Sequence, residues 1–242
     1  MENRNDSKDS VASLNAGLYV VGTPIGNLGD ITLRALETLR SVDVIMAEDT
    51  RHSRKLLTHF EIRKRLISCH KFNEASRLDY LKHLIFDKSM AVALITDSGM
   101  PCISDPGSRS VAACHDLEIP VTVIPGPSAL TDAAALSGMI TKGFYFEGFL
   151  SHKSAARKKR LKTLSELDVP LIFFESPYRL LKLLGEIGEV LGGRETFVGR
   201  ELTKHFEETL RGTTAEIITA FGERKVKGEC VVIVGRKERV NV

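Results

Sequence analysis

Two acids, an arginine and a histidine stand together in Glu48-Asp49-Thr50-Arg51-His52, directly after the apolar run Val44–Ala47. At the carboxyl end of a strand, such a group makes a surface that can take up a proton or hold an anion. The bland alternative is that Asp49 or Thr50 caps the following helix while its neighbours are solvated. His70-Lys71-Phe72-Asn73-Glu74 occupies the equivalent place after the next apolar run. Three further segments combine small residues with prolines. Gly22-Thr-Pro24-Ile-Gly26-Asn-Leu-Gly29 has the spacing G-x3-G-x2-G, which is neither the dinucleotide fingerprint nor a phosphate loop. Thr96–Gly107 begins with Asp97, Ser98 and Gly99, where a glycine lets a ligand reach the main chain closely. Pro125-Gly-Pro-Ser128-Ala129 is the third. Stiff loops with exposed amides suit a small molecule with charged and hydrogen-bonding ends. Asp105 is expected to cap a helix with Pro106 at its first position. Ser-His-Asp order, a His-x-x-x-His helix and paired metal carboxylates are all missing, which disfavours hydrolase and metal chemistry; no metal is expected.

Charge singles out one more segment. Lys153, Arg157, Lys158, Lys159, Arg160 and Lys162 meet no acid between residues 151 and 165. With Leu161 and Leu164 seating a helix on a sheet, the cations would face outward toward a phosphate backbone. A merely solvated face is the alternative.

Chemistry of this kind needs a frame, and the periodicity supplies one. Apolar runs at 18–21, 44–47, 66–68, 91–95 and 121–124 alternate with helical patterns, the strict β-α order of a doubly wound, mostly parallel sheet. After the linker-like stretch Gly138–Gly143 a second series begins, with strands near 144–146, 171–174, 196–202, 206–212 and 230–234. Two of its connections are too short for a crossover helix, so this sheet is expected to be mixed. The expected organisation is a flexible tail over 1–16, one α/β domain over 17–139 and a second over 140–242.

Composition agrees. The chain has 242 residues, 43% of them hydrophobic and 27% charged, which supports a buried core and excludes wholesale disorder. No apolar window reaches the length of a membrane span, and the polar opening residues do not resemble a signal peptide. Cysteines at 69, 102, 114 and 230 form no Cys-x-x-Cys clip, consistent with a reduced cytoplasmic protein. Residues 1–140 carry 15 Lys and Arg against 17 Asp and Glu, while residues 141–242 carry 19 against 14. Basicity therefore belongs to the C-terminal part, as an anionic partner there would require.

Taken together, Leu18–Thr32, Ala47–His52, Thr96–Pro101 with Ser104–Gly107, and Pro125–Ala129 resemble the tetrapyrrole methylase superfamily. Tyr145–Leu150, Phe174-Glu-Ser-Pro-Tyr-Arg179, Arg200–Lys204 and Gly228-Glu229 are similar to its ribosomal branch. The resemblance implies two α/β domains with a ligand trough between them, S-adenosylmethionine as methyl donor, and usually a homodimer. It further implies 2′-O-methylation of a cytidine ribose in the decoding region of 16S rRNA in the small ribosomal subunit. By position, Pro24 lies in the N-terminal active-site loop; Asp97, Ser98 and Gly99 match the loop for the methionine portion; Ser128 and Ala129 match the next cofactor loop. Gly148, Phe149, Leu150, Gly228 and Glu229 would surround the adenosine. The tetrapyrrole enzymes' Gly-x-Gly-Pro-Gly-Asp loop is here expanded to Gly22–Gly26, and Ser98 stands where alanine is more usual.

A ribose hydroxyl is a poor nucleophile near neutral pH, so a base or a cation beside the emerging alkoxide is needed. Glu48, Asp49, Arg51, Glu175 and Lys204 lie at strand ends and are the candidates; Glu48 or Asp49 is favoured as proton acceptor and Arg51 as a phosphate or alkoxide contact. A porphyrin or corrin methyltransferase, and a non-catalytic ribosome-assembly factor, are the competing readings.

Overall fold

Five apolar residues in a row leave no position for solvent, and Ala91–Ile95 is buried throughout as the central strand of a five-stranded sheet. The computed structural model describes residues 14–237. The first sheet contains β1 (Gly17–Val21), β2 (Val44–Ala47), β3 (Arg65–Ser68), β4 (Ala91–Ile95) and β5 (Val121–Ile124), in the order β3-β2-β4-β1-β5. Every pairing is parallel. The first two connections step one way across the sheet and the last two step back. Right-handed crossovers then require helices on opposite faces. That is the arrangement found: α1 (Leu33–Ser41) and α2 (Thr50–His59) pack on the face of Tyr19, Val21, Ile45 and Ala93. The opposite face, with Val20, Met46 and Leu94, is covered by α3 (Glu74–Lys82), its π-turn continuation to Asp87, and α4 (Ser108–Asp116). Because β1 and β4 are neighbours whose chains leave toward opposite faces, a crevice opens at their carboxyl ends.

The described residues form two compact units, one ending at Ser128 and the other starting at Ala129. The helix α5 (Ala129–Ser137) packs against the last strand of the second unit, so the division falls ahead of the glycine-bounded stretch at 138–143. Of the tail expected over 1–16, residues 1–13 lie outside the described residues, while Leu14 and Ala16 pack on the two faces of the first sheet.

In the second unit, β6 (Tyr145–Phe149), β7 (Leu171–Glu175), β8 (Thr196–Arg200), β9 (Glu208–Gly212) and β10 (Cys230–Val234) are ordered β6-β7-β10-β8-β9. Only β6 and β7 pair in parallel. The sheet is mixed, as expected, but only the β8–β9 connection is too short for a crossover helix; the connection from β9 to β10 holds a helix at 214–221. Leu161 and Leu164 of α6 (Ser154–Leu164), Leu183, Leu184 and Ile187 of α7 (Leu180–Leu191), and Ile217 and Phe221 of α8 (Thr214–Phe221) fill its core.

The cations of α6 differ from the sequence expectation. Arg157 is 1% exposed and grips Glu186 of α7 through two nitrogens, Nη2 lying 2.7 Å from Oε1, while Nη1 donates to the Ser151 carbonyl. Lys158 pairs with Glu189 and Arg160 with Glu147 and the Tyr145 hydroxyl. These acids are distant in sequence, so a window of one helix could not show them. Burial alone would raise the Glu186 carboxyl, but hydrogen bonds from Arg157 and Ser154 hold it below the ordinary glutamate value. Its contribution to stability is therefore present above that ordinary value and lost as pH falls through the lowered one.

Arg157→Leu leaves Glu186 buried without its cation and should lower unfolding stability by about 3–5 kcal/mol in urea titrations at neutral pH. Lys159→Ala on the exposed side of the same helix should stay within about 0.5 kcal/mol.

Candidate active site

Main chain meets main chain where β1, β4 and β5 end. Gly22 donates its N–H to the Ile124 carbonyl at 3.0 Å, and a Cβ placed on it would lie 2.7 Å from the Gly126 Cα and 2.6 Å from the Met100 sulfur. Thr23 donates its N–H to the Gly99 carbonyl at 2.9 Å and its hydroxyl to the Thr96 carbonyl at 3.1 Å, bridging the first loop to the one after β4. Gly99 has φ +79°, and a Cβ there would press on Ile25 at 3.1 Å and the Pro127 carbonyl at 3.3 Å. A side chain is therefore excluded at Gly99 by conformation and at Gly22 by space. The result is one stiff assembly that brings together Pro24, Asp97, Ser98, Gly99 and the Pro125–Ser128 turn. The Thr96 hydroxyl is buried in it without a protein partner. Sequence reading found the glycines but missed Thr23 and Thr96, since only the fold sets a threonine hydroxyl against a carbonyl 73 residues away.

A second feature lies at the ends of β2 and β4. The Asp97 N–H donates to the Glu48 carboxylate at 3.4 Å, and the Asp49 N–H donates to the Asp97 carboxylate at 3.2 Å. Burial, together with the negative charge of Asp97, raises the Glu48 carboxyl above its ordinary value. His70 also faces Glu48 electrostatically. Asp49 behaves oppositely. It caps α2 by accepting the Arg51 N–H at 2.8 Å, and it holds the Arg51 guanidinium through both oxygens. The Arg51 hydrogen bonds keep the Asp49 carboxyl well below the usual carboxylate range. Of the two acids favoured from the sequence, Glu48 has the environment of a base and Asp49 that of a cap. Arg51 is 89% exposed and can reach an anion.

The long loop after β4 is held from below by Glu74. This buried carboxylate accepts from the N–H groups of Gly107 and Ser110 at 3.1 and 2.9 Å, and from the Ser110 hydroxyl at 3.2 Å. It thereby occupies the positive end of α4, the capping work expected of Asp105. The helix starts at Ser108 because Gly107, at φ +126°, turns the chain immediately before it.

The second unit presents its own set. Gly148 has φ +72° where the β6–β7 register shifts, Phe149 is 59% exposed, and Leu150 is buried. Ala129 opens α5. Gly228, at φ +88°, lies against the Glu201 side chain, which fills the space a Cβ would take. Glu229 and Glu201 both accept from Lys204 at 2.9 Å. Burial works against the Lys204 ammonium, but these two acids raise its pKa, which removes it as a base. Glu175 is also engaged, in an ion pair with Arg179. Of the six cations on and before α6, Lys153, Lys159 and Lys162 are exposed outside any ion pair among the described residues, whereas Arg157 is inaccessible. The four cysteines are unpaired, and burial pushes Cys69 and Cys114 up to about 11 and Cys230 up to about 12, so none is a thiolate at neutral pH. No cluster of three or more metal-ligating side chains occurs among the described residues, and none of their helices is long and apolar enough to cross a membrane.

The first-unit loops bring polar groups of both kinds together. Asp97 offers negative charge, the Ser98–Gly99 main chain offers amides, and the Thr96 hydroxyl has no protein partner.

Comparison with known proteins agrees with this geometry. Residues 17–218 match the family model of tetrapyrrole (corrin/porphyrin) methylases. The chain is 46% identical over 221 residues to "Ribosomal RNA small subunit methyltransferase I" of Thermotoga maritima, covering 91% of this chain and 99% of that protein. It is 49% identical to the protein of the same name from Mycoplasmopsis pulmonis, covering 90% and 97%. Among solved structures, cobalt precorrin-4 methyltransferase superposes with TM-score 0.65 at 17% identity, covering 90% of this chain and 94% of that one. Uroporphyrin-III C-methyltransferase from Thermus thermophilus gives 0.61, also at 17% identity, covering 91% and 94%. At that identity the likeness speaks for the fold.

Gly22→Ala should force the first loop off the Gly126 turn, at about 1–3 kcal/mol in thermal or urea unfolding. Its affinity for S-adenosylmethionine in calorimetry should fall with it. Gly143→Ala, where a Cβ meets nothing within 4 Å, should leave both unchanged.

Proposed function

The chain belongs to the tetrapyrrole (corrin/porphyrin) methylase family, and from that premise we propose that it transfers a methyl group from S-adenosylmethionine to 16S rRNA, at the 2′-hydroxyl of a cytidine ribose in the decoding region. The observation that carries this reading is the identity of 46% over 99% of a relative named for small-subunit rRNA methylation, against 17% for the tetrapyrrole enzymes of the same fold.

Bound S-adenosylmethionine supplies a methyl group activated by a sulfonium. The protein's own residues do the rest. Asp97, Ser98, Gly99, Pro24 and Ser128 hold and orient the donor on a base that cannot flex, because Gly22, Thr23 and Gly126 lock the three loops. Positioning of this kind accounts for much of the rate of a two-reactant displacement. Glu48 takes the proton of the ribose hydroxyl. Its burial beside Asp97 raises its basicity toward working pH without a change of side chain. Arg51, kept extended by Asp49, contacts a phosphate of the substrate, and Lys153, Lys159 and Lys162 contribute phosphate contacts from the second unit.

Glu48→Gln should lower kcat by about 10²–10⁴-fold while leaving the affinity for S-adenosylmethionine unchanged. In the parent enzyme kcat/KM should fall as pH drops through the raised Glu48 value, and the glutamine variant should lose that limb. Asp49→Asn, which keeps a good helix cap, should cost less than about tenfold. The activity itself is tested with methyl-labelled donor and small ribosomal subunits from a strain lacking the gene, followed by mapping of ribose methylation. Label on a single cytidine ribose is the expected result. Subunits left unlabelled, with label passing to a porphyrin or corrin instead, would overturn the proposal.

A further inference from the structure

One end of the second sheet carries more exposed aromatic surface than a water-facing edge needs. The register aligns Glu175 of β7, Cys230 of β10, Arg200 of β8 and Glu208 of β9, with Phe149 beside Phe174 at the same end. Beyond that line the loops after β7 and β8 present Tyr178, 82% exposed, and Phe206, 68% exposed. Exposed rings on mobile loops would call for no explanation. These loops are built to be rigid.

Tyr178 sits between Pro177 and Arg179 in a turn closed by the Arg179 N–H on the Ser176 carbonyl at 3.0 Å. Beneath it, the fully buried Glu175 carboxylate holds both the Ser176 N–H, at 2.7 Å, and the Arg179 guanidinium, which also reaches the Leu150 carbonyl. Phe206 lies in a loop whose Glu201 and Thr203 adopt φ of +51° and +65°, a conformation that costs non-glycine residues energy. Lys204 ties that loop to Glu201 and Glu229, Arg200 donates to the Phe206 carbonyl at 3.1 Å, and the His205 ring meets Phe206 edge-on at 4.7 Å. Strain and ion pairs are being used to hold aromatic faces in water. The acids Glu175, Glu201, Glu208 and Glu229 at this end are each engaged in an ion pair. Lys153, Lys225 and Lys227 are exposed outside any ion pair among the described residues, against Glu207 and Glu223.

We propose that this end of the second sheet is a stacking platform for unpaired nucleotides of the substrate RNA, with Tyr178 and Phe206 as its two bases' partners and the neighbouring lysines on the backbone. Aromatic faces among cations are what single-stranded RNA recognition requires, because every base has a face to stack and every nucleotide a phosphate to neutralise. The proposal rests on RNA being the substrate and adds where the strand lies and which side chains hold it.

The chain contains no tryptophan, so Tyr178→Trp and Phe206→Trp each introduce a single reporter. Fluorescence of both should be quenched by a single-stranded oligonucleotide of the target region and not by the same sequence in a duplex. Tyr178→Leu and Phe206→Leu should weaken binding to small ribosomal subunits by about 5- to 100-fold. The salt dependence of binding and the affinity for S-adenosylmethionine should not change. Tyr178→Phe, which keeps the ring, should bind like the parent, which separates stacking from damage to the turn. Replacing Lys225 and Lys227 should instead flatten the salt dependence. Leucine variants that bind and methylate subunits like the parent overturn the platform while the proposed activity stands. A parent chain that neither binds nor methylates subunits overturns the activity, and the platform with it.

Discussion

The approach of Gly22 to Gly126 is the constraint on which the first unit's chemistry depends. Two backbone segments at van der Waals distance leave no room for a side chain on either, and the Thr23–Gly99 bridge adds a third segment to the same contact. Parallel strands alone would not achieve this. They bring loop origins into a row about 5 Å apart, yet the loops that follow are free to diverge. Here they are bonded to one another before they diverge, so that the groups beyond inherit the sheet's rigidity. Where β1 and β4 send their chains to opposite faces the crevice is a property of the topology, and the glycines decide how narrow its floor is.

On that floor, two acids with the same formal charge have been given opposite characters. Asp49 sees an amide, a guanidinium and the start of a helix, all of which favour its ionised form. Glu48, one residue earlier, is half-buried next to another carboxylate, and both effects favour its protonated form. A base must be willing to hold a proton, and only the second environment provides that. The same economy appears below the loop after β4, where a single buried glutamate from α3 supplies the helix cap that the loop's own Asp105 does not.

Much of this was legible beforehand, and the division is physical. Strand positions followed from period and length: the helices at 180–191 and 214–221 and the strands at 91–95, 121–124 and 230–234 begin and end where apolar periodicity says they should. The mixed character of the second sheet followed from the β8–β9 connection, too short for a crossover, whereas the β9–β10 connection, also read as too short, holds α8. The loops were visible because glycine and proline are local in their effects. Charge was misjudged for the opposite reason. Arg157, Lys158 and Arg160 find their acids on α7 and β6, and nothing in residues 151–165 encodes Glu186, Glu189 or Glu147. The start of α4 was misplaced likewise, since its cap is a residue of another helix. The helix-to-strand step at 129–137 was seen, yet the surface it packs against, on β10, places it in the second unit.

Rigidity and exposure are usually alternatives at a protein surface: side chains that face water are mobile, and those that are fixed are buried. The two units resolve this in the same way with different materials. In the first, backbone-to-backbone contact fixes the loops that carry the half-buried Asp97 and Ser98. In the second, ion pairs, one of them resting on the buried Glu175, fix turns whose aromatic rings face outward. Neither arrangement maximises stability, because a buried ion pair is often no better than an apolar pair of the same size, and left-handed Glu201 and Thr203 cost energy outright. What both gain is a surface that does not need to be ordered when a ligand arrives, so that less of the contact energy is lost to freezing loops.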